Sequence, residues 1–110
     1  MQTKVTARHM ELTPAIEGYA VKKVQKLTRY FDRIQQFEVL IDQVKNGYAV
    51  EIIVDVEHHD PFIATDKHED LYACIDGTVD KAARLLTDHK SKLRDNKHTH
   101  AAGNMPNENA

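Results

Sequence analysis

The sequence predicts an α+β fold: a two-layer sandwich of order β-α-β-β-β-α, in which a four-stranded sheet carries two helices on one face. Three observations lead to this prediction. Three segments alternate in the way expected of strands and a fourth is long enough for one, and two longer segments repeat apolar residues at three- and four-residue intervals. An Asn-Gly pair at 46–47 marks a tight turn. Placing both helices on one side of the sheet buries every apolar stripe.

The first strand and the first helix come from the N-terminal third of the chain. Residues 2 to 8 alternate around Val5 and Ala7 and predict a short strand. Thr13 is a preferred N-cap residue, and Pro14 suits the first helical position because its missing N–H would have no partner there. An amphipathic helix from Pro14 to about Phe31 follows from the apolar residues Ile16, Ala20, Val24, Leu27 and Phe31.

Three more strands follow, and the first two of them form a hairpin. Residues 36 to 44 and 48 to 57 each alternate between an apolar face and a largely acidic or mixed face. Asn46 and Gly47 lie between them, and both tolerate the positive φ that a two-residue hairpin turn requires. Residues 62 to 66 are long enough for a short fourth strand. We expect the acidic residues of these strands to lie on the outer face of the sheet.

The second helix is predicted from Glu69 or Asp70 to the middle of the nineties. Gly77 interrupts it at a cost of about 1 kcal/mol relative to Ala, and we expect this glycine to allow close packing against the first helix. Residues 1 to 97 form one domain, whereas residues 98 to 110 lack periodicity and predict a disordered tail. The apolar stripe of the helix comprises Leu71, Ile75, Val79, Ala82, Leu86 and Leu93.

Several classes of function find no support in the sequence. No apolar run reaches membrane-spanning length, and the single cysteine, Cys74, excludes an internal disulfide and fits a reducing cytoplasm. A Gly-rich phosphate loop, a nucleophile elbow and a zincin motif are all missing, so we expect neither an enzyme nor a cofactor. A metal-dependent enzyme is the weakest alternative: residues 58 to 60 and 68 to 70 hold candidate ligands, but neither cluster has zinc-motif spacing.

Basic residues are concentrated in the two helices. Residues 22 to 33 and 81 to 97 hold eleven of the 15 basic residues but only three of the 17 acidic ones, so the formal net charge of −2 conceals a polarised molecule. A charged helix face often only faces water, and cations near a helix C-terminus add about 0.3–1 kcal/mol of stability. Two such segments in an otherwise acidic chain indicate a polyanionic partner.

The spacing of these cations predicts where they lie. Lys22, Lys26 and Arg29 form one line along the first helix, which Arg33 extends only if the helix lasts that long, and Lys23 flanks it. On the second helix, Lys81, Arg84 and Lys92 share a face, and Lys90, Arg94 and Lys97 spread around the end.

Two helices packed about 10 Å apart would form a groove able to meet two phosphate strands of a folded RNA. Three tyrosines near these helices are either base-stacking residues or half-buried core residues: Tyr19, Tyr30 and Tyr72.

Three segments resemble a known family. "KHEDLYACIDGTVDKAARLL", "ELTPAI" and "KKVQKLTRYFDRI" are similar, at matching spacing, to the ribosome hibernation promoting factor and ribosome-associated inhibitor family. The resemblance covers residues 1 to about 95 and implies the same β-α-β-β-β-α fold. It also implies binding in the cleft of the small ribosomal subunit near the decoding centre, over the sites of messenger and transfer RNA, which silences ribosomes in stationary phase or stress.

The same resemblance implies partners and contact residues. The partner is the small subunit with its 16S rRNA, in whole or paired ribosomes, with no membrane, no small-molecule substrate and a protein that is monomeric when free. The short tail and missing second domain suggest the short hibernation promoting type. A free double-stranded RNA-binding module is the alternative, supported by the basic groove alone. The implied RNA-binding residues are Lys22, Lys23, Lys26, Arg29, Lys81, Arg84, Lys90, Lys92 and Arg94.

Overall fold

The computed structural model describes the backbone of residues 2 to 99 and the side chains of residues 2 to 90. It confirms the predicted α+β fold and element order. The predicted tail falls largely outside this part of the chain, although α2 includes residues 98 and 99. None of the described helices is long and apolar enough to cross a membrane. The elements are β1 (Gln2–Arg8), α1 (Pro14–Gln25), β2 (Ile34–Val44), β3 (Gly47–Val56), β4 (Phe62–His68) and α2 (Leu71–Thr99).

The four strands form one mixed sheet in the order β1-β2-β3-β4. β1 and β2 are parallel because α1 connects them by a crossover, whereas the other neighbouring pairs are antiparallel. The turn between β2 and β3 consists of Lys45 and Asn46, one residue earlier than the predicted Asn46-Gly47 pair. Asn46 has a φ of 68°, and Gly47 already pairs with Val44 as the first residue of β3. A Cβ atom on Gly47 would overlap the carbonyl oxygen of His68 at the end of β4, so glycine is required here for space.

Both helices cover the same face of the sheet. The side chains of β2 and β3 that face the helices are fully buried or nearly so, as are the helix residues that meet them. The alternation of the strands therefore leaves every second residue of each strand on the opposite, outer face. We call α1 and the 3-10 turn that follows it, residues 14 to 29, the first helical segment. The core contains Val24 and Leu27 from this segment, Ile75 and Leu86 from α2, and Phe37, Val39, Ile41, Val50, Ile52 and Val54 from the sheet.

The first helix is shorter than predicted. It begins as expected, since the Ile16 N–H donates to Thr13 Oγ1 at 3.2 Å and Pro14 is the first helical residue. The α-helix ends at Gln25 and continues only as a 3-10 turn over Lys26–Arg29. Within this turn the Thr28 hydroxyl donates to the Gln25 carbonyl oxygen at 2.9 Å, an alternative partner of the kind that disfavours a continuing α-helix.

Gly77 packs against β4, not against α1 as the sequence suggested. A Cβ atom at this position would overlap the carboxylate of Asp66. That carboxylate accepts hydrogen bonds from the Lys67 N–H at 2.9 Å and from Lys81 Nζ at 3.2 Å. Burial alone would raise the pKa of Asp66, but the hydrogen bonds from Lys81 and Lys67 outweigh it, and the pKa lies below its ordinary value.

The Asp66 contacts also cover the free edge of the sheet. Lys81 Nζ donates to the carbonyl oxygen of Thr65 at 3.2 Å, and the carboxylate of Asp66 accepts the hydrogen bond of the Lys67 N–H. β4 is an edge strand, so both backbone groups would otherwise be open to pairing with another chain. Gly77, Asp66 and Lys81 therefore form one unit that fixes α2 on β4 and protects the edge of the sheet.

This unit makes the effect of Gly77→Ala depend on Asp66. In the wild type, the added methyl group displaces the Asp66 carboxylate and its hydrogen bonds, which offsets the roughly 1 kcal/mol by which alanine favours a helix over glycine. In an Asp66→Ala background, space is open and the same substitution should stabilise. Urea unfolding of the four proteins should give a coupling free energy of about 1 kcal/mol. Equal effects in both backgrounds would contradict the contact.

Candidate RNA-binding surface

The cations of the first helical segment lie in one exposed row. Lys22, Lys26 and Arg29 are all solvent-exposed, and none forms an ion pair or hydrogen bond within the described residues. The row survives the change to a 3-10 turn because residues three apart are eclipsed in that geometry, which aligns Lys26 with Arg29. Arg33 lies beyond the end of the helical turn, where its carbonyl oxygen accepts the N–H of Glu57 at 3.0 Å, so the row does not extend to it as a continuous helix.

Lys23 differs from this row because it leans towards α2. Its side chain is only 28% exposed, and Nζ lies 3.5 Å from Asp76 Oδ1. The same nitrogen stands 5.4 Å from the centroid of the Tyr19 ring. Lys23 therefore connects the two helices, and unlike Lys22 and Lys26 it already has an acidic partner.

One of the predicted α2 cations already has partners within the protein. Lys81 points to β4, where it binds Asp66 and the backbone of Thr65. Arg84 and Lys90 are exposed and form no ion pair within the described residues. Lys92 and Arg94 belong to the backbone of α2, but their side chains lie outside the described part. The helix thus offers Arg84 and Lys90 to an anionic partner, while Lys81 already has acceptors.

The groove between the helices carries charges of both signs. It encloses a cavity of about 280 Å³, with Lys23 and Lys26 on one wall and Asp76 and Asp80 on the other. The two acids are functional residues that the cation pattern did not indicate, although Asp76, Asp80 and Ala83 are spaced as residues on one helix face. These acids repel phosphate, whereas the cation spacing suggested a basic groove that meets two phosphate strands; phosphate binding in the groove stays a prediction.

Tyr19 and Asp76 form the polar centre of the helix–helix contact. The Tyr19 hydroxyl donates to Asp76 Oδ1 at 2.7 Å, and the Tyr19 and Tyr72 rings meet edge to face at 4.8 Å. The hydrogen bond to Asp76, with burial and the negative charges of Asp76 and Asp70, raises the pKa of Tyr19 to about 12. Tyr19 is therefore engaged in structure, whereas Tyr30 and Tyr72 are 41% and 40% exposed.

The outer face of the sheet is less uniformly acidic than expected. Four acids occupy the central strands, but cations on the edge strands flank them: in register, Lys4 lies beside Glu38 and Arg8 beside Asp42. Lys67 follows on β4, next to Ala49. A cavity of about 620 Å³ opens here between charged residues of both signs. The four acids are Glu38, Asp42, Glu51 and Asp55.

The histidines that suggested a metal site have other contacts. His59 stacks on Phe62 with ring centroids 4.7 Å apart, and its ring meets the edge of His89 at 4.5 Å. His68 Nδ1 accepts the N–H of Asp70 at 2.9 Å. Among the described residues, no group of three or more potential ligands is placed to hold a metal ion. The two candidate clusters of the sequence analysis are not brought together.

Comparison with known proteins assigns the family. The sequence profile of the family described as sigma 54 modulation protein / S30EA ribosomal protein matches residues 3–94, so the chain belongs to this family. The ribosome hibernation promoting factor of Klebsiella oxytoca is 38% identical over 97 residues, covering 86% of this chain and 98% of that relative. The factor of the same name from Escherichia coli (strain K12) is 37% identical over 94 residues, with the same coverage. The resemblance seen in the sequence is thereby confirmed.

Solved structures agree with this assignment. The N-terminal domain of Thermus thermophilus Protein Y superimposes with a TM-score of 0.71 and 30% identity, covering 78% of this chain and 94% of that domain. A ribosomal subunit interface protein from Coxiella burnetii gives a TM-score of 0.76 at 20% identity, covering 83% of this chain and 99% of that chain. At this lower identity, the second match supports the fold alone.

The Tyr19–Asp76 hydrogen bond predicts a pH dependence. Between the ordinary tyrosine pKa of 10.0 and about 12, folded Tyr19 keeps a proton that the unfolded chain loses, so the free energy of unfolding should fall as pH rises through this range. An absorbance titration of wild type minus Tyr19→Phe should show Tyr19 ionising near pH 12. Asp76→Ala should bring that midpoint down. An unchanged midpoint in this variant would contradict the assigned cause.

Proposed function

We propose that this protein is a ribosome hibernation factor that binds the small ribosomal subunit near the decoding centre. It occupies the sites of messenger and transfer RNA there and silences translation under stress or in stationary phase. The contacts are made by exposed cations of the two helices with the phosphates of 16S rRNA. The protein acts by occupying space and carries out no chemistry.

The broader part of this proposal, a role in ribosome hibernation, is supported by family membership. The family description names a ribosomal protein, and relatives that match over 84–86% of this chain are named ribosome hibernation promoting factor. These names belong to the relatives, and their agreement is the ground for carrying the role to this chain.

The row of Lys22, Lys26 and Arg29 is the observation that best supports the finer part. These cations are exposed and have no acidic partner among the described residues, so contact with a phosphate would replace only water. Arg84 and Lys90 extend the same kind of surface on α2. For Lys23 and Lys81, binding to RNA must first displace Asp76 or Asp66, which makes their contribution smaller.

The mixed charge of the inter-helix groove disfavours the alternative of a free double-stranded RNA-binding module. That alternative depended on a continuous basic groove meeting two phosphate strands, and Asp76 and Asp80 interrupt it. The exposed row on the first helical segment and the separate cations on α2 fit a concave RNA surface that contacts the solvent-facing side of each helix.

Charge reversal on the helices tests the binding surface. Lys26→Glu combined with Arg84→Glu should weaken binding to small subunits by about tenfold or more, because each reversal replaces a phosphate contact by repulsion. For the wild type, affinity should also fall steeply as salt rises, since bound counterions are released. Co-sedimentation with purified small subunits over a salt series measures both effects.

A matched control changes the net charge equally on the other face. Lys4→Glu combined with Lys67→Glu removes two cations from the outer face of the sheet, and this variant should bind as the wild type does. Reversal of Glu51 and Asp55 to Lys on the same face should likewise leave binding intact. Equal losses from the helix and sheet variants would show that net charge decides binding and that the assigned face is wrong.

Order of addition tests inhibition by occupancy. Protein added to a cell-free system before initiation complexes form should inhibit peptide synthesis strongly, and protein added afterwards should inhibit weakly, because messenger and initiator transfer RNA then fill the cleft. A high-salt wash should restore activity and release intact rRNA. Inhibition that is independent of order, or cleaved rRNA after the wash, would refute the mechanism.

A further inference from the structure

We propose that the groove between the helices binds one unpaired guanine of the RNA partner. The site is built from Asp80, Tyr30 and Lys26, with Lys23 at its side. This inference rests on the proposed function, because it specifies what part of an RNA the protein recognises beyond the phosphate backbone. It assigns a role to the two acids that make the groove unsuitable for phosphate.

The two acids of the groove differ in their partners. Asp76 accepts the hydrogen bond of Tyr19 at 2.7 Å and lies 3.5 Å from Lys23 Nζ. Asp80 is exposed and has no ion pair or hydrogen bond among the described residues. Its carboxylate, which lines the groove, is therefore available to a ligand.

The chemistry of a carboxylate decides which part of an RNA can bind there. An ionised carboxylate only accepts hydrogen bonds, so it cannot bind a phosphate oxygen. The Watson–Crick edge of guanine offers two neighbouring donors, N1–H and the 2-amino group, which match the two carboxylate oxygens. Adenine, cytosine and uracil each place acceptors beside a single donor group on that edge. A carboxylate in such a groove therefore favours guanine over the other three bases.

The remaining groups of the groove suit the rest of a nucleotide. Tyr30 lines the groove and is 41% exposed, which leaves its ring available for stacking on a base. Lys26 is exposed at the same wall and belongs to the cation row, so it can contact the phosphate beside the bound base. Lys23 offsets the charge of Asp76, which reduces the repulsion that the groove would otherwise exert on the RNA backbone.

Short oligonucleotides of defined sequence test the inference. Wild-type protein should bind the ribopentamer UUGUU about tenfold more tightly than UUAUU, as expected of one good bidentate contact. Replacing the guanine by hypoxanthine, which lacks only the 2-amino group, should lose most of that preference. Chemical-shift titration by NMR measures these affinities and reports whether Tyr30 is contacted.

Two variants separate base recognition from general electrostatics. Asp80→Ala should abolish the preference for guanine. Asp88→Ala removes the same charge from an exposed position on the same helix outside the groove, and it should keep the preference. Tyr30→Ala should weaken all three oligonucleotides. The inference would be overturned if the wild type showed no preference for guanine. It would also be overturned if Asp80→Ala weakened binding equally for every base, which would indicate that Asp80 contacts ribose.

The test of the guanine site can fail without the proposed function failing, and the reverse also holds. Co-sedimentation of wild-type protein with small subunits decides the proposed function, and the oligonucleotide series decides the guanine site. Binding to small subunits without a guanine preference would overturn only the inference. A guanine preference without binding to small subunits would support the site and refute the proposed function.

Discussion

The burial of one face of the sheet under two helices is the constraint on which the rest of the structure depends. β2 and β3 each place a continuous apolar row on this face, and both helices are needed to cover it. Once α1 and α2 are held there, their outward sides are the natural position for charge. The exposed row of Lys22, Lys26 and Arg29 is therefore a consequence of how the core is closed.

Acidic residues on neighbouring elements decide which of the cations are free. Asp66 on β4 holds Lys81, and Asp76 on α2 holds Lys23. Ion pairs at partly exposed positions contribute only about 0–1 kcal/mol, so an RNA phosphate can compete with either acid. The pairs nevertheless divide the basic residues into two sets. Cations without an acidic partner can bind a phosphate directly, whereas Lys23 and Lys81 must first separate from an aspartate. Asp66 and Asp76 thus have structural roles at the edge of β4 and in the contact between the helices.

The two faces of the molecule arrange their charged residues differently. On the outer face of the sheet, acids on β2 lie directly beside cations of β1, Glu38 beside Lys4 and Asp42 beside Arg8. This arrangement screens both signs locally. On the helix face, Lys26 faces the acids of α2 across the groove, but neither it nor Lys22 and Arg29 forms an ion pair within the described residues. A polyanion therefore meets uncompensated charge on the helix side.

The sequence by itself determined the element order, the N-cap at Thr13, the β2–β3 hairpin to within one residue and the exposed row on the first helix, because each follows from residues that are close in the chain. The resemblance of three segments also identified the family. The end of α1 at Gln25 was not predicted, since the Thr28 hydroxyl bond that favours a 3-10 turn leaves no trace in the apolar period. Only the tertiary structure decided that Gly77 faces Asp66, that Lys81 lies on β4 and that Asp76 and Asp80 line the groove. These positions depend on which side of α2 meets each neighbour, and helix periodicity alone does not say which neighbour a given side will meet.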